Sequence, residues 1–225
     1  MGGSGHEIEL KLQLPDEASL EAVAVAAGGE RRAPVRQVNH FFDADGRPLR
    51  ARGFGLRLRD EEGRFFLTAK GPKGAAKSAA LAHRREEEVE IDADTARAIL
   101  GGARSPLEVL QERLEDEGLE LVRALDEARA GAPLEYLGCF ENQRTRIRTK
   151  LPSAQGDLDV ELELDRTSFP GDRVQFEVEL ELSASADADN AERALVDLLA
   201  RAGTVGRPAP GKARRFFAFL EEERE

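Results

Sequence analysis

From Glu7 to Leu14 apolar and polar residues alternate without a break. Ile8, Leu10, Leu12 and Leu14 fall on one face of an extended strand, and Glu7, Glu9, Lys11 and Gln13 on the other. The same period of two returns at Val35–Asp43, Phe54–Arg59, Arg64–Lys70, Arg84–Ile91, Asn142–Leu151, Asp157–Asp165 and Val174–Leu182, which predicts eight strands. Helical spacing separates them. Pro15-Asp16 opens a short helix closed by Gly28-Gly29, a helical block runs from about Thr95 to Ala130, and a third helix begins near Asp189 and stops at Gly203. Ser105-Pro106-Leu107-Glu108 has the form of a capping box with proline at the first helical position. The Gly- and Ala-rich stretch 71–81 is expected as a loop, as is the segment holding Tyr136.

Each strand has one apolar and one charged face, and the helices have apolar faces of their own that need cover. An apolar outer sheet surface supplies that cover. The expected fold is therefore α+β: a closed eight-stranded antiparallel β-barrel with helices packed outside and charged strand faces lining the interior. The expected organisation is a flexible leader over 1–5 and a single domain over 6–225, with a helical insertion at about 93–131.

Composition narrows the function. A net charge of −11 argues against nucleic acid and anionic membrane as partners. No apolar run nears the roughly 20 residues of a membrane span. One cysteine, Cys139, excludes an intrachain disulfide and a cysteine-cluster zinc site. The expected setting is cytoplasmic.

The charges segregate by strand. Glu7 and Glu9, Glu86 and Glu88, Asp157 to Asp165 and Glu177 to Glu181 are acidic rows; Arg57 and Arg59, and Arg144 to Lys150, are basic ones. Carboxylates at i and i+2 on one pleat lie roughly 7 Å apart, close enough to share a divalent cation. Clustered carboxylates beside clustered Arg and Lys suit a polyphosphate, whose oxygens take the basic groups and whose bridging cations take the acids. A small-molecule polyphosphate is the expected partner.

With these residues in view, the chain resembles the CYTH superfamily, the triphosphate tunnel metalloenzymes. Glu7-x-Glu9-x-Lys11 matches the family signature. Phe41-Phe42-Asp43, Leu56-Arg57-Leu58-Arg59, Thr68-x-Lys70-Gly71, Arg84-x-Glu86-x-Glu88, Phe140-Glu141-Asn142-x-Arg144, Glu163-x-Asp165-x-Thr167, Phe176-Glu177-Val178-Glu179-Leu180-Glu181 and Lys212 follow in order. Within the superfamily the likeness is greatest to plant and bacterial inorganic tripolyphosphatases. It implies metal-dependent hydrolysis of triphosphate to diphosphate and phosphate, with Mg²⁺ or Mn²⁺. Carried over by position, Lys11, Arg57, Arg59, Lys70, Arg144 and Lys212 are expected to contact phosphate, and Arg146, which extends the basic strand beyond the family's motif, and Arg214 are expected to join them. Arg214 is preferred to Arg215 because it lies two residues from Lys212. Glu7, Glu9, Glu86, Glu88, Glu163, Asp165, Glu177 and Glu179 are the expected metal set, and Glu7, Glu9 and Lys11 the expected catalytic residues. An adenylyl cyclase of the superfamily carries a His-Phe pair upstream of the signature, absent here, and a thiamine triphosphatase needs an aromatic platform that this tryptophan-free chain lacks. A non-catalytic polyphosphate-binding module is the alternative outside enzymes.

Overall fold

A computed structural model describes residues 3–73, 81–182 and 188–223, with the side chains of 3–8 and 81–83 outside the description. It is an α+β fold with antiparallel strand pairing, and its residues fall into two compact units. The first comprises Met1–His6, Gln37–Gly74 and Arg84–Cys139; the second comprises Glu7–Arg36, Ala75–His83 and Phe140–Glu225.

In the first unit, β3 (Val35–Ala44), β4 (Gly55–Glu61), β5 (Arg64–Lys73) and β6 (Leu81–Ile91) run as an antiparallel meander. Period-two alternation turns Phe42, Leu56, Leu58, Leu67, Ala69, Val89 and Ile91 to one side, where they are buried in a single core cluster. That core is completed by α2 (Pro48–Ala51), α3 (Ala93–Leu100), α4 (Pro106–Arg113) and α5 (Asp116–Arg129), through Leu49, Ile99, Leu110, Leu121, Val122 and Leu125 among others. Three helices thus stand in the expected helical block. Pro106 takes the first turn of α4 as expected, but Ser105 makes no side-chain cap bond. Asp43 is almost fully buried and explains the Phe-Phe-Asp motif locally. Its Oδ1 accepts from the Ala44 and Leu49 amides at 2.8 and 3.0 Å, and its Oδ2 from the Arg50 amide at 3.0 Å, satisfying the exposed donors of α2.

In the second unit, β1 (Gly3–Leu14) pairs with β9 (Arg173–Leu182), β9 with β8 (Leu158–Phe169), and β8 with β7 (Leu134–Leu151). Beneath this sheet, Leu10, Leu12, Ile147, Leu162, Leu164, Val178 and Leu180 pack on Val23 of α1 (Glu17–Ala27) and on Leu195, Leu198 and Leu199 of α6 (Ala188–Arg201). Asp16 caps α1 by accepting from the Ser19 amide at 2.8 Å, and Gly28 ends it at φ 61°. The last helix, α7, spans Lys212–Glu222 and takes in what the sequence presents as a short basic piece.

Several expectations are corrected. Among the described residues nine strands form where eight are predicted, because the two-residue β2 (Glu30–Arg31) pairs with Arg148 and Ile147. β7 starts at Leu134 rather than Asn142, so Tyr136 lies on a strand, not in a loop. β1 starts at Gly3, so residues 3–5 of the expected leader are strand; Met1 and Gly2 lie outside the described residues. Of the expected loop 71–81, residues 71–73 and Leu81 are strand and the rest lies outside the description. The fold is not the closed eight-stranded barrel. Each unit already buries its apolar strand faces under its own helices, so closure is not needed to remove them from water. Among the described residues no helix is long and apolar enough to cross a membrane.

Candidate functional site

The pleat that sends leucines under the helices sends charged residues to the opposite face of each sheet. In the second unit the register aligns these into rows across four strands. One row reads Lys11 (β1), Glu179 (β9), Glu163 (β8), Arg146 (β7); the next reads Gln13, Glu177, Asp165, Arg144. A third begins with Glu9 opposite Glu181, and Glu161 faces Arg148 on the far side of β8. Acids sit in the middle strands and bases on the outer ones, so each carboxylate has a cation within reach.

The pairs are close and buried. Arg144 donates to both oxygens of Asp165, at 2.8 and 2.6 Å, and to Glu179 at 2.8 Å, and also meets Glu163. Asn142 adds a bond to Asp165 at 2.8 Å. Lys212, the first residue of α7, places its ammonium 2.7 Å from Asp165, 3.0 Å from Glu177 and 2.7 Å from Glu179. Lys11 pairs with Glu9 and reaches Glu179 at 3.6 Å. Arg146 holds Glu163 at 3.0 Å. Isolated charges in such surroundings would be prohibitive, and interleaving is what makes the face tolerable.

The ionisation follows from this. Burial alone would raise the Glu179 and Asp165 carboxyls. The cations beside them, chiefly Lys212 and Lys11 for Glu179 and Arg144 and Lys212 for Asp165, outweigh it and hold Glu179 well below, and Asp165 below, the ordinary range. Burial likewise disfavours charge on Lys11 and Lys212, yet the carboxylates around each keep both ammonium groups above their usual value. Glu163 goes the other way. Burial lifts it, and Arg144 offsets this only in part.

The first unit carries a smaller face of the same chemistry. Arg57 donates to Asn39 at 3.3 Å and to Thr68 at 3.4 Å, and Thr68 donates to Glu88 at 2.8 Å. Arg59 bonds Glu88 at 3.1 Å, and Lys70 pairs with Glu86 at 2.5 Å. Glu86 and Glu88 therefore lie against the three basic residues expected to hold phosphate.

The expected residues are placed unevenly. Glu9, Lys11, Arg144, Arg146, Glu163, Asp165, Glu177, Glu179 and Lys212 share the charged face of the second unit, while Arg57, Arg59, Lys70, Glu86 and Glu88 share that of the first. The Glu7 side chain lies outside the description. Arg214 is exposed, whereas Arg215 is buried and pairs with Glu177 at 2.6 Å. The expectation for Arg214 assumed strand spacing. Lys212 opens a helix, where residues three apart share a face.

Two acids outside the expected metal set lie beside it. Glu161 and Glu181 line a cavity of about 270 Å³ together with Glu163 and Leu182. Their signal was in the sequence, since they continue the period-two acidic faces of β8 and β9. Hard carboxylate oxygens around a cavity fit Mg²⁺ or Mn²⁺ in donor chemistry. Among the described residues, however, no three His, Cys, Asp or Glu side chains converge to hold a metal as they stand, because arginines and lysines occupy the carboxylates.

Comparison with solved structures finds proteins of the same fold. A protein from Hippeastrum, named for adenylyl cyclase and described as having a dominant triphosphatase activity, superposes with a TM-score of 0.77 at 24% identity, over 94% of this chain and 95% of its own. A Bacillus halodurans protein named as an adenylate cyclase gives 0.67 at 24% identity, over 96% and 99%. A Vibrio parahaemolyticus protein, also named as an adenylate cyclase, gives 0.56 at 15% identity, over 96% and 99%. No curated protein matches the sequence. The family model for the CYTH domain matches residues 5–217, and the chain belongs to that family.

Proposed function

We propose that the chain hydrolyses inorganic triphosphate to diphosphate and phosphate in a reaction that needs Mg²⁺ or Mn²⁺. The observation that carries this is the row Lys11–Glu179–Glu163–Arg146, which sets a base at each end of two acids, with Asp165 and Glu177 of the next row held by Arg144 and Lys212. A linear triphosphate offers anionic oxygens at a spacing that successive basic side chains can bind. Lys11, Arg144, Arg146 and Lys212 are the phosphate contacts in the second unit; Arg57, Arg59 and Lys70 have the same chemistry in the first. Guanidinium groups hold phosphate oxygens bidentately, and the two ammonium groups act as point charges.

Glu9, Glu161, Glu163 and Glu181 are the acids that would hold the cation, with Glu7 from the signature. The bound cation would supply charge neutralisation and acidify a water. Fixed cations around the phosphoryl group stabilise charge on its equatorial oxygens, which is where most catalysis of this reaction lies. The Hippeastrum protein's described triphosphatase activity supports the reading, and the Bacillus protein's name makes a cyclase the competing one.

Phosphate release from inorganic triphosphate, ATP and thiamine triphosphate, each with Mg²⁺, Mn²⁺ or EDTA, tests this. Fast, chelator-sensitive release from inorganic triphosphate over the organic substrates is the expected result. Cyclic AMP and diphosphate from ATP would replace it with the cyclase reading. Tight triphosphate binding without release would make the protein a polyphosphate-binding module.

A further inference from the structure

Two of the acids expected to bind metal have another job. Asp165 and Glu177 face each other across β8 and β9, and both are fully buried. The Lys212 ammonium sits 2.7 Å from Asp165 and 3.0 Å from Glu177, in the place a cation would take between them. One helical turn on, Arg215 meets the other oxygen of Glu177 at 2.6 Å and also bonds Gln175, two residues back on the same strand face. Glu177 is thus gripped from two positions on α7. On the neighbouring turn face, Phe216 is fully buried and packs on Phe140 with ring centroids 5.8 Å apart, and the Arg215 guanidinium lies 5.4 Å from the Phe169 ring.

We infer that Glu177 and Arg215 are positioning residues: the couple docks the first turn of α7 on β9 and so aims Lys212 at the substrate, and Glu177 does not ligate metal. The physical grounds are charge and access. A divalent ion at Glu177 would have to displace the Lys212 ammonium and the Arg215 guanidinium from a carboxylate that is fully buried. Glu161, Glu163 and Glu181, by contrast, open on a cavity. Arg215 is buried against Glu177, Gln175 and the Phe169 ring, so its effect on the reaction passes through Lys212. The inference rests on the triphosphate reading, and the test separates the two.

The variants are Glu177→Gln, Arg215→Gln, Arg215→Lys and the Glu177→Gln/Arg215→Gln pair. Mn²⁺ binding is read by electron paramagnetic resonance, triphosphate turnover by phosphate release, and α7 order by amide hydrogen exchange over 212–222. Both single Gln variants are expected to bind Mn²⁺ within about twofold of the parent. Both should raise KM for triphosphate about tenfold or more with a smaller change in kcat, and speed exchange in α7. Arg215→Lys restores part of the KM loss, and the pair is no worse than its worse member, which the neutral pairing keeps foldable. Loss of a true metal ligand would instead weaken Mn²⁺ binding substantially in Glu177→Gln alone, and that result overturns the inference. So does an unchanged exchange rate in both single variants. If the parent releases no phosphate from triphosphate, the functional reading fails, while Mn²⁺ binding and exchange still decide the role of Glu177.

Discussion

Lys212→Met offers the sharpest test of how the charged face is held together. The substitution keeps most of the side-chain length and removes the ammonium that Asp165, Glu177 and Glu179 share at 2.7, 3.0 and 2.7 Å. Removing one partner from a buried ion pair costs about 3–5 kcal/mol, because the carboxylates left behind have lost water and gained nothing. Here Arg144 still holds Asp165 and Glu179, and Arg215 still holds Glu177, which points to the lower end, about 3 kcal/mol. With a urea slope of about 2 kcal/mol per molar, the unfolding midpoint should fall by roughly 1.5 M at pH 7. The pH dependence gives a second, independent handle. In the parent, Glu179 and Asp165 titrate below their unfolded values, so they add stability at neutral pH that is lost as the solution falls through the folded values. In the variant burial dominates, the carboxyls titrate higher, and protonation relieves the unpaired charge. The difference between parent and variant should therefore shrink steadily from pH 7 to pH 4. A loss under about 1 kcal/mol at pH 7, or one of the same size at pH 4, would refute the reasoning, since a packing defect has no cause to fade with acid.

Glu9→Gln should lower triphosphate turnover about a hundredfold at saturating Mg²⁺, by loss of a metal-holding acid next to Lys11; full turnover would remove Glu9 from the site. Gly29→Ala should cost about 2–4 kcal/mol in a thermal or urea melt, because its Cβ would sit 2.2 Å from the Arg148 carbonyl oxygen at a φ of 79°. Asp43→Ala should cost about 2–3 kcal/mol by leaving three amides of the β3–α2 corner without an acceptor, and triphosphate KM should stay within about twofold, marking this motif residue as structural.

The alternation that names the strands also names the faces, and this is why most of the charged surface was legible before any coordinates. Leu10, Leu12 and Leu180 go under α1 and α6, so Glu9, Lys11 and Glu179 must go the other way. What the pattern could not supply was which units the strands belong to, because an apolar face records that it is covered and not by what. The closed barrel followed from assuming that all the charged faces share one interior. β2 was missed because two residues show no period, and the first half of β7 because Gly138 and Tyr136 interrupt the alternation. Strand spacing from Lys212 points to Arg214, but the segment is helix, and helical spacing puts Arg215 beside Lys212. The sharing of Lys212 among three carboxylates is a tertiary fact, set by where α7 docks, and no local spacing encodes it.

The interleaving of acids and bases also shows how one face could be stable by itself and still bind the strongly anionic ligand proposed for it. A purely basic groove would attract phosphate but would repel itself and strain the fold without ligand. A purely acidic one would bind divalent cations and reject phosphate. Here Lys11, Arg144, Arg146, Lys212 and Arg215 each rest on an acid of β1, β8 or β9. The folded protein therefore carries few net charges in this region, at a modest cost in desolvation. A phosphate oxygen can take over a guanidinium or ammonium only if the carboxylate it leaves finds another cation. A divalent ion can take that carboxylate only if its base has moved to phosphate. If triphosphate and a divalent ion bind here as proposed, each would clear the way for the other, and their binding would be coupled through residues such as Lys11 and Glu163 that would change partners. Asp165 and Glu177 are the fully buried acids of this face. They hold Lys212 and Arg215, and they would give the exchanging residues a fixed frame from which to act.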